Sequence, residues 1–236
     1  MTTKSADGVT LPLPGEWDGR QLSASYVADY KPFNFVDGEG VRCSLYVSGC
    51  PFKCPGCYNE AAQSFRYGKP YTPELVAQIL ADLAQPYVAG LSLVGGEPML
   101  ATPILLPLVR QVRAEFGDTK DIWVWSGYTF ESLMVDTSDK QELLELCDVL
   151  VDGPFINRLY HHDLAFRGSR NQRIIDLAAT RAQLAELGLV PSPAESRDDA
   201  AAVETASYTA AVVPWSSGRR DSEDSVPFLK PAAPSS

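Results

Sequence analysis

The chain has 236 residues, 45% of them hydrophobic and 21% charged, enough apolar material for one sizeable core rather than two full-sized domains. Its formal net charge of −10 excludes general electrostatic attraction to nucleic acid or an anionic membrane, leaving a local basic patch as the remaining route to either. No apolar run approaches the roughly 20 residues of a membrane span, and residues 1–20 lack the apolar segment of a secretory signal, so no nucleic-acid or membrane partner is expected and the expected compartment is the cytoplasm.

Residues 1–22 are polar and broken by Gly and Pro, and are expected to be a flexible N-terminal extension. Val41–Val47 (VRCSLYV) is rich in β-branched and aromatic residues and reads as a strand. Thr72-Pro73-Glu74 offers an N-cap, a proline at the first helical position and an acid in the first turn. Leu75, Val76, Ile79, Leu80 and Leu83 then recur at helical spacing on one apolar face. Leu91–Val94 is a short buried strand closed by Gly95-Gly96, and Leu105–Phe116 is the next helix, with Pro107 in its first turn or at a kink. Ile122–Trp125 (IWVW) is a strand followed by Ser126-Gly127, Gln141–Cys147 is helical, and Val149–Val151 is a strand ended by Asp152-Gly153. Arg173–Asp176 reads as the last strand and Leu177–Leu187 as the last helix, stopped by Gly188. Residues 190–236 are rich in Pro, Ala, Ser and acids without periodicity; they are expected to be a mostly disordered tail, with Val212–Trp215 and Val226–Leu229 as apolar pieces able to dock.

Apolar strands alternating with amphipathic helices imply βαβ units and a parallel sheet. The organised span, residues 23–189, is too short for a closed eightfold barrel of about 250 residues. The expected fold class is therefore α/β, an open, partial parallel β/α barrel with disordered termini. In such sheets chemistry gathers at the carboxyl ends of the strands. The cysteine cluster, Gly95-Gly96-Glu97-Pro98, Ser126-Gly127-Tyr128 and Asp152-Gly153 all stand there.

Three of the five cysteines fall in Cys50-Pro-Phe-Lys-Cys54-Pro-Gly-Cys57. A tight C-x3-C-x2-C run in a chain expected in the cytoplasm points to metal or redox chemistry rather than to a disulfide framework. Three thiolates on one loop suit one face of an iron–sulfur cube, and a missing fourth cysteine leaves one iron free to bind substrate. Structural zinc, the alternative, wants four closed ligands. Cys43 lies mid-strand and Cys147 on an apolar helix face, both reading as core, while His161 and His162 read as an exposed loop pair.

C-x3-C-x2-C after one strand with Gly-Gly-Glu-Pro after the next resembles the radical S-adenosylmethionine enzymes. Phe33–Arg42 (FNFVDGEGVR), Cys54–Asn59 (CPGCYN), Trp125–Glu131 (WSGYTFE), Asp148–Gly153 (DVLVDG) and Arg167–Gln172 (RGSRNQ) follow in order. From about Ser23 to Leu189, the text is similar to the glycyl-radical activases that serve anaerobic ribonucleoside-triphosphate reductases. The resemblance implies a partial barrel of the radical S-adenosylmethionine type and two cofactors, a [4Fe–4S] cluster and S-adenosyl-L-methionine. Cys50, Cys54 and Cys57 would be both the metal ligands and the catalytic centre. The implied partners are the large subunit of anaerobic ribonucleoside-triphosphate reductase, which receives the radical on a glycine, and a flavodoxin-like electron donor; a homodimer stays open.

The resemblance also carries site residues. Gly95, Gly96 and Glu97 would receive the methionine end of the cosubstrate, or simply end a strand. Gly56 and Tyr58 would follow its adenine side; the aromatic that many relatives place just before the third cysteine follows it here. Ser126 and Asp152 stand where ribose hydroxyls, the methionine carboxylate or a monovalent cation would be met, an ordinary cap being the alternative for Asp152. Pro154 replaces a lysine found in related activases. Asp37 and Arg42 flank Gly38-Glu39-Gly40 and would shape the entry of the partner's glycine loop, or pair with each other. Arg167 and Asn171 would lie on a rim that meets the partner or solvent. Two alternatives remain open: action on another glycyl-radical enzyme or a small molecule, and a non-catalytic metal-binding module.

Overall fold

A computed structural model describes residues 3–191 and 206–217 of the chain. Nine strands are found among them: β1 (Thr3–Lys4), β2 (Thr10–Leu11), β3 (Tyr26–Asn34), β4 (Val41–Val47), β5 (Lys69–Pro70), β6 (Val88–Gly95), β7 (Asp121–Trp125), β8 (Val149–Asp152) and β9 (Arg173–Asp176). The α-helices are α1 (Gly19–Leu22), α2 (Pro73–Leu83), α3 (Thr102–Phe116), α4 (Phe130–Leu133), α5 (Ser138–Glu145), α6 (Leu177–Leu187) and α7 (Ala206–Thr209). No helix among the described residues is long and apolar enough to cross a membrane.

Seven strands form one sheet in the order β5-β3-β4-β6-β7-β8-β9. β4, β6, β7 and β8 are mutually parallel, joined through α2, α3 and the α4–α5 pair, which is the α/β arrangement expected. Both flanks differ from that expectation. β3 and β5 add antiparallel pairing on one side, and β9 runs antiparallel to β8 on the other. β3 escaped the sequence reading because its burial is irregular and its last residues include Lys31-Pro32.

Thr72 caps α2 through its hydroxyl, which accepts from the Leu75 backbone N–H, and Pro73 opens the helix as its sequence predicts. Asp176 caps α6 in the same way through Ala179, and Gly188 ends that helix in the left-handed region at φ 66°. The helix α3 begins at Thr102 rather than at Leu105, because Pro103 can take its first turn; Pro107 consequently lies inside the helix.

The strand registers divide the sheet into two unlike faces. Cys43 and Leu45 on β4 align with Leu91 and Leu93 on β6, Ile122 and Val124 on β7, Leu150 on β8 and Ile175 on β9. All of these are fully buried in the main apolar core with Ile79, Leu83, Leu105 and Val109 from α2 and α3. The opposite face carries Ser44 and Tyr46, Ser92 and Val94, Trp123 and Trp125, Val149 and Val151, and Ile174. One face is thus a dry helix-packed core, and the other is polar and aromatic.

Within the expected N-terminal extension, residues 3–22 are packed onto the domain. β1 and β2 make a hairpin, and Thr10 N donates to Phe52 O at 2.8 Å. Val9 and Trp17 are buried, and the Trp17 ring meets Phe52 edge-on at 4.9 Å. The Trp17 carbonyl also accepts from Lys140 Nζ at 2.6 Å, and Lys140 pairs with Asp136 in a wholly buried ion pair. The polar average of this segment concealed the few residues that bury. Part of the expected tail is ordered too: in residues 206–217, α7 packs beside α4 and Val213–Trp215 dock on the sheet at β9, whereas Val226–Leu229 lies outside the described residues. Trp17→Ala is expected to destabilise the protein by about 3–5 kcal/mol, the usual range for removing a buried large aromatic; urea unfolding of the full chain measures it.

Candidate metal centre and cofactor cavity

The cysteine loop begins where β4 ends. Gly49 holds φ 102°, and a Cβ there would lie 2.0 Å from the Phe65 ring, so only glycine fits. Gly49 N and Cys50 N donate to Ala62 O and Gln63 O at 2.8 and 3.0 Å, and Cys57 N closes a turn on Cys54 O at 3.1 Å. Phe52 anchors the middle of the loop: it is 1% exposed and sits edge-on to both Trp17 and Tyr128, at 4.9 and 5.1 Å.

Cys50, Cys54 and Cys57 line one cavity of about 970 Å³ on the polar, aromatic face of the sheet. Gly56, Tyr58, Gly95, Gly96, Glu97, Ser126 and Asp37 line it as well, so the structure gathers these residues with the cysteines. Tyr58 is fully exposed at the cavity surface. Burial, the charge of Glu97 and the neighbouring thiols push the Cys50 thiol well above its ordinary range. Burial also raises Cys54, to about 11, against backbone hydrogen bonds that pull the other way. Buried thiols that repel one another on ionising would be stabilised as thiolates by the positive charge of a metal centre, and soft thiolate donors suit iron. The donor set therefore fits an iron–sulfur cluster held by Cys50, Cys54 and Cys57.

The two glycines after β6 answer first to packing. A Cβ on Gly95 would lie 2.6 Å from the Val47 backbone N and O, and one on Gly96 would lie 2.6 Å from Gly49 O. The turn is instead tied backbone to backbone, with Gly96 N donating to Val47 O and Glu97 N to Gly49 O, both at 2.8 Å. Glu97 is 1% exposed, and its carboxylate accepts from Met99 N at 3.0 Å, Ser126 Oγ at 2.8 Å and Gly127 N at 2.8 Å. Burial pushes its carboxyl up to about 7 although all three donors favour the charged form.

Four residues from the sequence reading stand behind the cavity wall. Arg42 is completely buried, donates to Ser92 Oγ and Leu91 O, and pairs with Asp121 at 2.7 Å rather than with Asp37. It is placed to hold the sheet, not to meet a partner. Asp37 faces the cavity, and its carboxylate accepts from Asn34 Nδ2 and Tyr46 Oη. Asp152 is 1% exposed and accepts from Phe130 N at 2.8 Å and from Arg173, which also binds Glu131; this is the structural alternative, not a free ligand. Arg167 and Asn171 fasten their own loop, donating to Gln172 O and Pro154 O at 2.7 and 2.8 Å.

Asn157 and Tyr160 also line the wall and escaped the sequence reading, whereas Trp125 and Gln172 stand in its motifs without a role of their own. Trp125 carries a usable signal, since it alternates with Trp123 at the end of an apolar strand. Gln172 Nε2 donates to Gly153 O at 3.0 Å across the loop, a pairing without any local sequence pattern. His161, His162 and Asp163 gather their ligand atoms within 4.8 Å, but His162 and Asp163 are more than two-thirds exposed and the three pair among themselves, the exposed loop expected.

The family described as a 4Fe-4S single cluster domain matches residues 36–175. Anaerobic ribonucleoside-triphosphate reductase-activating protein of Pasteurella multocida is 45% identical over 149 residues, covering 61% of this chain and 93% of that protein. The protein of the same name from Escherichia coli K12 is 42% identical over 147 residues, covering 61% and 93%, and that of bacteriophage T4 is 39% identical over 145 residues, covering 61% and 88%.

The buried carboxyl gives a pH signature. An acid raised from 4.5 to about 7 on folding contributes stability fully below pH 4.5 and loses it as pH rises through about 7. Glu97→Gln is expected to flatten that slope and, by turning an NH2 group toward a donor, to cost about 1–3 kcal/mol. Urea unfolding of the metal-free wild type and variant across this pH range measures both effects.

Proposed function

The chain belongs to the 4Fe–4S single cluster domain family and to the activating proteins of anaerobic ribonucleoside-triphosphate reductases, and from that membership we propose a radical S-adenosylmethionine activase that places a glycyl radical on the reductase's large subunit. Held by Cys50, Cys54 and Cys57, the cluster would supply, with S-adenosylmethionine bound, the one-electron reductive chemistry that removes a hydrogen atom from the partner's glycine. A reduced flavodoxin-like protein is the proposed electron donor. The observation that carries this reading is the convergence of the three loop cysteines and the Gly95–Glu97 turn on one cavity.

The chain's own residues hold, orient and exclude. Cys50, Cys54 and Cys57 hold the cluster and leave a fourth position unprotected by any cysteine of the loop. Gly95 and Gly96 give cavity access to backbone, and the Glu97 carboxylate keeps that turn in place by binding Ser126 and Gly127 at the end of β7. Tyr58 and Gly56 border the cavity beside the third cysteine, the side proposed for adenine. Asp37 lies on the opposite, β3–β4 side, where its carboxylate is already oriented by Tyr46 and Asn34 and can face the incoming glycine segment. We read the open sheet as a partial barrel whose interior is the polar, aromatic face; the division of residues between its two faces supports this. Metabolic chemistry of this kind needs a cavity that excludes solvent while a radical exists, and the partner's segment would complete the enclosure.

The test is anaerobic mixing of the reconstituted protein with reductant, S-adenosylmethionine and the purified large subunit. A doublet glycyl-radical signal is expected, and about four irons per chain. Cys54→Ala is expected to lose the cluster and the signal together. A reconstituted wild type that binds one zinc, or that cleaves S-adenosylmethionine without ever radicalising the reductase, would overturn the assignment.

A further inference from the structure

Residues 206–217 lie outside the 36–175 span covered by the family match, yet they are built into the sheet. Asp176 N donates to Val213 O at 2.9 Å and Trp215 N to Ile174 O at 3.0 Å, while Pro214 bridges Ile175 in the antiparallel sense. Val213 N donates to Thr180 Oγ1 at 3.0 Å on α6. Tyr208, 3% exposed, donates from its hydroxyl to Val190 O at 2.7 Å. The segment therefore runs along the outer edge of β9 and delivers Trp215 to the face of the sheet that bears the cavity.

Trp215 there meets Trp123 edge-on, with ring centroids 5.0 Å apart and planes at 71°, and approaches Phe166 at 6.3 Å. Trp123 is 1% exposed, and it stacks on Trp125 at 5.7 Å with planes 27° apart. Trp125 lines the cavity, and its indole Nε1 donates to Phe166 O at 2.8 Å. Two neighbours thus set the position of Trp125, one by stacking and one by a hydrogen bond. Both of them rest on Trp215.

We propose that Trp215 is a positioning residue for cosubstrate binding: through Trp123 and Phe166 it holds Trp125 in the cavity wall and so sets the shape of the pocket that takes S-adenosylmethionine. This rests on the functional reading above. The physical basis is close packing, because an aromatic removed from one side of a filled cluster leaves a void into which its neighbours shift. A shift of Trp123 carries the stacked Trp125 with it, and a shift of Phe166 moves the carbonyl that fixes the Trp125 indole. The cysteine loop is anchored separately, by Phe52 against Trp17 and Tyr128, so the cluster should still load.

The test uses the full chain, reconstituted anaerobically, as wild type, Trp215→Ala and Trp215→Phe. Iron and sulfide content are measured first, and the dissociation constant for S-adenosylmethionine is then read by equilibrium dialysis. Equal iron in all three is expected, with the dissociation constant of Trp215→Ala raised on the order of three- to tenfold and largely restored in Trp215→Phe. Wild-type binding with an unchanged constant in Trp215→Ala overturns this inference alone. Loss of iron together with cosubstrate binding in both variants also overturns it, since Trp215 would then serve general folding. A wild type that holds the cluster but binds no S-adenosylmethionine overturns the functional reading and this inference with it.

Discussion

One buried residue joins the ends of the three strands around which the cavity is built. Glu97 follows β6, its backbone N–H donates to Gly49 O beyond β4, and its carboxylate receives Ser126 Oγ and Gly127 N beyond β7. A carboxyl with 1% exposure is unfavourable there unless its acceptor sites are filled, and three donors fill them. The same bonds that make the burial tolerable fix the relative heights of the three strand ends. The cysteine loop, the Gly95-Gly96 turn and the Ser126-Gly127 turn inherit their positions from that junction.

The junction explains why the neighbouring residues are small. Gly95 and Gly96 admit the backbone of β4 and of the cysteine loop, and Gly127 admits the Phe52 ring, which would lie 2.7 Å from a Cβ. Phe52 in turn needs a wall, and that wall is Trp17 from the N-terminal segment and Tyr128 from the turn after β7. The loop that carries the cysteines is therefore held at its root by backbone hydrogen bonds and at its middle by an aromatic cluster. The N-terminal residues that supply Trp17 belong to that support.

Much of this was legible in the sequence, for a physical reason in each case. The four parallel strands announced themselves because both of their faces are buried, which forces nearly continuous apolar runs such as Leu91–Val94 and Ile122–Trp125. Cys50, Cys54 and Cys57, the two glycines and Glu97 were visible because a metal loop and a tight turn constrain residue type locally. Residues whose role depends on a distant partner were not visible. Nothing near Arg42 says that Asp121 will neutralise it, and nothing near Asp152 says that Arg173 will claim its carboxylate. Polar average composition likewise hid Val9 and Trp17, since a segment that buries two side chains against an existing core needs no periodicity of its own.

The two faces of the sheet show what an open architecture requires. The helix-packed face is closed by α2, α3 and α6 and needs only apolar volume. The other face is filled around Trp123 by single side chains: Arg42 lies over the Trp123 ring at 5.3 Å, and Trp125, Phe166 and Trp215 pack around it. A guanidinium is tolerable at that depth because the Asp121 carboxylate, Ser92 and three backbone carbonyls satisfy it, and because an aromatic face attracts a cation. Beyond this floor the same face opens into the cavity, so the transition from packed interior to binding site occurs along single strands, between Trp123 and Trp125 on β7. The chain segment that supplies Trp215 also covers the outer edge of β9, leaving fewer unpaired backbone groups there for another strand to join. Edge protection and support of the cavity floor are consequently two results of a single docking event.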